Sequence, residues 1–194
     1  MKNPNIGCVV MAAGNASRFG ANKLLEPIGG KPIIHHALSA IPVELFSSVV
    51  VVTQYETIEN IAKEFDFTVI RNAHPELGVS HTIQLGAEAL SACDAICFAV
   101  ADQPLLRRES VAALVALHGK NRDKIAALAS NGTRGNPCIF PSRFFPALMA
   151  LTGDRGGRSV IRDNEDALVL LEAQPEELWD IDTPDALRIL QEHL

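Results

Sequence analysis

The stretch Val9–Leu25, VVMAAGNASRFGANKLL, decides how the chain is read. A hydrophobic run ends in two alanines and a glycine, and an arginine, a second glycine and a lysine follow within a few residues. A short apolar run bounded by turn residues reads as a buried strand, here Ile6–Met11, and Gly14 follows it. The loop is not a Walker A motif, because Phe19 stands where the second glycine belongs. It is not a dinucleotide fingerprint either, since Ala16 replaces that motif's second glycine. What remains is A-A-G-x-x-x-R-F-G-x-x-K. Small residues let backbone N–H groups approach an anion, Arg18 offers a planar fork, and Lys23 a mobile point charge. The pattern suits phosphate, although a glycine turn with two solvated cations would look the same.

Further apolar runs are expected as strands at Ser48–Val52, Phe67–Ile70, Ala95–Val100 and Ile125–Ala129. Helical patterns separate them. Pro32 suits the first turn of a helix reaching about Ile41. Ile58, Ile61, Ala62 and Phe65 recur at helical spacing, as do Val111, Leu114, Val115 and His118. Thr183 and Pro184 read as cap and first turn of a last helix with Leu187, Leu190 and Leu194 inward. Beyond Asn131 a turn rich in Gly, Asn and Thr leads to short strands at Cys138–Phe140 and Ala167–Glu172. The expectation is one α/β domain over 1–194, three layers around a mostly parallel sheet, with a first part to about residue 130 and a second from 131. Ligands in such sheets sit beyond the carboxyl ends of the strands.

Composition narrows the partners. The formal net charge is −6 and aromatic residues make up 5%, which argues against nucleic acid and anionic lipid. No apolar stretch is long enough to cross a membrane, and Ile6–Ala13, broken by Gly7, is too short for a signal peptide. Cys8, Cys93, Cys97 and Cys138 show no zinc spacing and read as buried free thiols, which fits a cytoplasmic protein. His35 and His36 read as packing and surface residues, and Trp179 as core or pocket wall.

Six short motifs occur in one order: AAGNASRFGANK (12–23), NAHPELGVSHT (72–82), ADQP (101–104), TRGNPCIF (133–140), GDRGGR (153–158) and DIDTP (180–184). Together they resemble the molybdenum cofactor cytidylyltransferases and their guanylyltransferase relatives, over nearly the whole chain. The resemblance implies a Rossmann-like, GT-A-like nucleotidyltransferase fold. It implies CMP transfer from CTP to the phosphate of molybdopterin, with Mg²⁺ as cofactor and Mn²⁺ able to substitute. By the same resemblance Ala12, Ala13, Gly14, Arg18 and Lys23 hold the triphosphate, while Asn72, Gly78 and Ser80 place ribose and base. Arg18, Lys23 and Asp102 would be catalytic. Asp102 and Asp182 would be the metal ligands, with Asp180 the alternative to Asp182. Arg134, Gly135, Asp154, Arg155 and Arg158 would bind the acceptor. Ala13 resembles the cytidylyl branch, whose guanylyl counterpart has glycine there. Gln103, Thr82 and Asn136 depart from the family pattern, which usually reads D-M-P at the first of these and R-G-H-P at the last. A molybdenum hydroxylase is the client this implies. The rival readings are a transferase for another phosphorylated acceptor, such as a sugar phosphate, and a non-catalytic cofactor escort.

Overall fold

The apolar runs form seven strands of one sheet in a computed structural model that describes residues 5–14 and 22–193. The chain begins with β1 (Ile6–Ala12), β2 (Pro27–Ile28), β3 (Lys31–Pro32), α1 (Ile33–Ser39), β4 (Ser48–Thr53), α2 (Glu56–Glu64), β5 (Thr68–Arg71) and α3 (Val79–Ala89). It continues with β6 (Ala95–Val100), α4 (Arg108–Lys120), β7 (Ile125–Ser130), β8 (Thr133–Pro141), α5 (Phe145–Met149), α6 (Gly157–Arg162), β9 (Leu168–Glu172) and α7 (Pro184–His193). The sheet order is β5-β4-β1-β6-β8-β7-β9, and β2 and β3 pair separately. Only β8 runs against its sheet neighbours.

Two faces of the sheet are covered, because alternate strand residues point to opposite sides. Cys8 and Val10 join the cluster under α1, α2, α4 and α7, with Ile33, Ile58, Leu114 and Leu187. Val9 faces the other way, among Ile83 of α3, Leu148 of α5 and Ile161 of α6. Each fully buried aliphatic side chain is worth about 1.5–3 kcal/mol of apolar transfer. Two glycines set how close α3 comes. A Cβ at Gly86 would lie 2.6 Å from Val9, and one at Gly7 would lie 2.7 Å from Leu90. The three-layer expectation is therefore met.

The differences lie in short elements. Pro32 caps α1 rather than opening its first turn, and Phe65 ends α2 as its cap. The strand expected at Cys138–Phe140 extends back to Thr133, paired with β7 across an Asn131-Gly132 turn. Both turn residues have positive φ, 50° and 72°, the conformation that closes a two-residue hairpin. Leu187 and Leu190 are buried as expected, and Leu194 lies outside the described residues. All four cysteines are free and buried. His36 Nε2 bonds the Ile28 carbonyl at 2.8 Å, and His35 packs edge-on against Phe65. No described helix is long and apolar enough to cross a membrane.

This topology gathers the motifs. The parallel strands β1, β4, β5 and β6 end at Ala12, Thr53, Arg71 and Val100, on one edge of the sheet. The antiparallel β8 starts where they end, which carries Arg134 and Gly135 to that same edge.

Candidate active site

The loop after β1 is held from behind by the residues that end β4. Thr53 Oγ1 donates to the Ala12 carbonyl at 3.0 Å, Gln54 Nε2 to the Ala13 carbonyl at 2.8 Å, and Tyr55 Oη to the Gly14 carbonyl at 3.1 Å. In a trans peptide the N–H points opposite to the carbonyl. Pinning the Ala12 and Ala13 carbonyls therefore turns the Ala13 and Gly14 N–H groups away from β4. A Cβ at Gly14 would meet no described atom within 4 Å, so packing does not demand the glycine. It leaves the backbone open to a ligand. The sequence did not single out Thr53, Gln54 and Tyr55, since a hydrogen bond to a carbonyl has no motif.

Ala12, Ala13 and Gly14 line a cavity of about 450 Å³ with Lys23, Gly78 and Asp102. Thr82 and Asp154 also stand on its wall. Arg18 lies outside the described residues. Asn72 and Ser80, expected at ribose and base, stand behind the wall instead, each 2% exposed. Asn72 Nδ2 donates to Thr82 Oγ1 at 3.2 Å, and its Oδ1 accepts from the His74 N–H at 2.9 Å. The Ser80 N–H donates to the Gly153 carbonyl at 3.1 Å, and its hydroxyl bonds the Leu77 carbonyl at 3.4 Å. Their polar groups are spent on shaping the wall, and Thr82 presents it.

Gly78 caps α3 with φ 83° and ψ −173°, a conformation reserved for glycine. A Cβ there would stand 2.5 Å from the Gly153 carbonyl and 2.7 Å from Asp154 Oδ1. The GDRGGR segment is thus packed backbone to backbone against the GVSHT segment. Gly78→Ala is expected to lower the unfolding temperature, by a cost of about 1–3 kcal/mol for the backbone alone. Gly119→Ala, in open space on α4, should be neutral or slightly stabilising. Thermal unfolding of the two variants checks this, and equal melting points would contradict it.

Lys23 and two aspartates meet at the cavity. Lys23 Nζ lies 2.7 Å from Asp102 Oδ2 and 2.8 Å from Asp182 Oδ1. Burial works against the ammonium, but the Asp102 charge and the hydrogen bonds to both carboxylates outweigh it and raise its pKa. The distant aspartates converge through the backbone: the Ile181 N–H donates to the Asp102 carbonyl at 3.0 Å, and Ile181 is 1% exposed. Burying Ile181 leaves Asp180 and Asp182 on either side of it. Asp182 turns to Lys23, whereas Asp180 accepts from Gln103 Nε2 at 2.9 Å. Loss of water around the Asp180 carboxyl, reinforced by the Asp102 charge, raises its pKa. A magnesium ion takes hard oxygen ligands, a few from protein and the rest from phosphates and water. The oxygen donors at Asp102 and Asp182, converging on one cation, fit that need.

A second cavity of about 400 Å³ adjoins the first, the two sharing Met11 at the end of β1. Arg134, Gly135 and Arg158 line it, with Gln103 and Asp180. Arg155 instead faces a third concavity of about 420 Å³, which Arg134, Arg158 and Asp154 also border. Asp154 therefore touches the first and third spaces rather than the second. Trp179, expected in the core or on a wall, is 50% exposed, and its neighbour Leu178 takes the wall position.

The model of the MobA-like NTP transferase domain matches residues 8–168. The chain is 33% identical to the purine catabolism protein PucB of Bacillus subtilis, covering 95% of each sequence. A nucleotidyl transferase from Methanothermobacter thermautotroptrophicus superposes with TM-score 0.82 at 21% identity, covering 97% of each chain. The manganese complex of Rv0371C from Mycobacterium tuberculosis superposes with TM-score 0.80 at 17% identity, covering 98% of this chain and 100% of the other.

Proposed function

The chain belongs to the MobA-like NTP transferase domain family, and from that premise we propose that it transfers CMP from CTP to the terminal phosphate of molybdopterin, releasing pyrophosphate. One observation carries the reading. Asp102 and Gln103 are adjacent in sequence, yet Asp102 faces the first cavity and Gln103 the second. The first takes the nucleotide and the second the acceptor, so the reacting phosphates meet where the cavities adjoin. The Bacillus subtilis relative is named for purine catabolism, which supports a molybdenum hydroxylase as client.

The acceptor phosphate attacks the α-phosphorus of CTP. The new P–O bond forms as the bond to the β-phosphate oxygen breaks, and pyrophosphate leaves with the electron pair. A phosphate monoester is largely ionised at neutral pH, so no general base has to take a proton. The chain's task is alignment and charge stabilisation. The Ala13 and Gly14 N–H groups, Arg18 and Lys23 bind the triphosphate. Lys23 sits on a flexible stem, so its ammonium can leave the carboxylates for the phosphates of bound nucleotide. Asp102 and Asp182 would hold Mg²⁺, which offsets the negative charge that builds on the phosphates. Arg134 and Arg158, at the second cavity, hold the anionic end of the acceptor.

Ala13 is 5% exposed on the wall of the nucleotide cavity, and its methyl narrows the space for a purine. CTP is therefore the expected substrate over GTP. Ala13→Gly should relax the preference without inverting it, since a methyl-sized difference is worth about 1–3 kcal/mol. The measurement is kcat/KM for both nucleotides in both proteins. Equal or higher activity of the unaltered protein with GTP would overturn the cytidylyl reading.

A further inference from the structure

Along a strand, successive carbonyls turn by alternation to its two neighbours. β1 keeps that alternation to its end. The Met11 carbonyl accepts from the Ala101 N–H, on the side of β6, and the Ala12 carbonyl from Thr53 Oγ1, on the side of β4. The next carbonyl should swing back toward β6. Instead the Ala13 carbonyl accepts from Gln54 Nε2 at 2.8 Å, and the Gly14 carbonyl from the Tyr55 hydroxyl at 3.1 Å. Three consecutive residues of the β4 end thus hold three consecutive carbonyls. The trans peptides send the Ala13 and Gly14 N–H groups to the opposite side, where Ala101 and Asp102 line the nucleotide cavity with them. Two successive N–H groups on one side make an anion-binding concavity.

The grip is itself anchored. The Thr53 hydroxyl, which donates to Ala12, accepts the Tyr55 N–H at 3.1 Å, and the Thr53 carbonyl accepts the Asn72 N–H at 2.7 Å. None of Thr53, Gln54 and Tyr55 is among the described residues lining the nucleotide cavity, so they act on a ligand through the backbone of the loop. Without the grip the Ala13 peptide is free to resume the alternation, and ordering it again would subtract from nucleotide affinity. We propose that Gln54 and Tyr55 are positioning residues of the transferase, which hold the phosphate loop against its strand alternation so that the Gly14 N–H is turned to the triphosphate before nucleotide arrives. This rests on the reading of the first cavity as the nucleotide site and names the side chains that prepare it.

The test uses the full chain with Mg²⁺ and inorganic tripolyphosphate, followed by calorimetry, and excess CTP shows which of the binding belongs to the nucleotide cavity. Gln54→Met keeps the length of the side chain and removes the donor, and Tyr55→Phe removes only a hydroxyl. Each should weaken the CTP-displaceable binding of tripolyphosphate about three- to tenfold, the range of one lost hydrogen bond. KM for CTP should rise by a similar factor while kcat at saturation stays within about twofold, because bound triphosphate orders the loop itself. Gln84→Met is the control: Gln84 Nε2 donates to the Met149 and Leu151 carbonyls at 3.0 and 2.9 Å, a grip of the same kind that does not touch the loop. It should lower the melting temperature and leave tripolyphosphate affinity unchanged. Unchanged affinity in both Gln54→Met and Tyr55→Phe, or an equal loss in Gln84→Met, overturns the proposal. Should Gln54→Met fold poorly, Tyr55→Phe decides alone, since its hydroxyl bond lies at the surface. An unaltered chain that binds neither tripolyphosphate nor CTP overturns the nucleotide reading of the cavity as well. Selective weakening alongside transfer from another NTP supports the positioning role and overturns only the cytidylyl reading.

Discussion

Asn in place of Asp102 or Asp182 is expected to lower nucleotidyl transfer at saturating CTP by about 10²–10³-fold, the scale of removing one electrostatic contact to a developing charge. Asn keeps an oxygen and the side-chain volume but loses the charge. The fold should survive, because the convergence rests on the Ile181–Asp102 backbone bond and the burial of Ile181, which neither substitution touches. Asp102 is the more enclosed, with its side chain 22% exposed against 55% for Asp182, so its loss should cost more. Since both would act through one ion, the double variant should cost much less than the product of the single losses. Full additivity would contradict a shared site. Unchanged activity in Asp182→Asn would move the second ligand to Asp180.

Lys23→Ala should show two effects of opposite sign. Transfer falls by a similar about 10²–10³-fold, because an ammonium is lost from the phosphates during charge migration. Affinity of the nucleotide-free protein for Mg²⁺ rises, because Lys23 already holds both carboxylates and competes with the ion for them. Calorimetric titration with Mg²⁺, and the rise in melting temperature that Mg²⁺ gives, report the second effect independently of activity. A variant that loses only apparent affinity for CTP, with turnover at saturation intact, would remove Lys23 from the catalytic machinery.

Much of the fold could be read from the chain because its central strands are buried on both faces. Continuous apolar runs such as Ser48–Thr53 and Ala95–Val100 leave little else to be, and they end where the ligand edge lies. Asp102 follows one of these strands, but an Asp before x-Pro is also a common turn former, so its place at the ligand edge was legible while its role came only with the resemblance of the ADQP motif. The two-residue strands β2 and β3 carry too few residues for any period to show. β8 was legible only in part, since Thr133–Asn136 are polar and partly exposed, and their pairing depends on the Asn131-Gly132 turn.

Within the site, residue type indicated the chemistry but not the partners. Lys23 read as a phosphate ligand, and no sequence spacing says that its ammonium rests between Asp102 and Asp182. Asn72 and Ser80 sit in the motif that suggested them, yet their polar atoms turn inward to Thr82, His74 and Leu77. Gln103 stood out as a departure from a pattern. Its unpaired oxygen emerges only once Leu178 and Asp180 are folded against its other end.

The proposed transfer needs both a particular nucleotide and a particular acceptor. Pyrophosphate release measured with each of the four NTPs and Mg²⁺, with and without molybdopterin, tests it most directly. Release is expected with CTP only when molybdopterin is present, with little from the other three NTPs and little from any NTP alone. Release that ignores molybdopterin, or that appears with a sugar phosphate in its place, would contradict it.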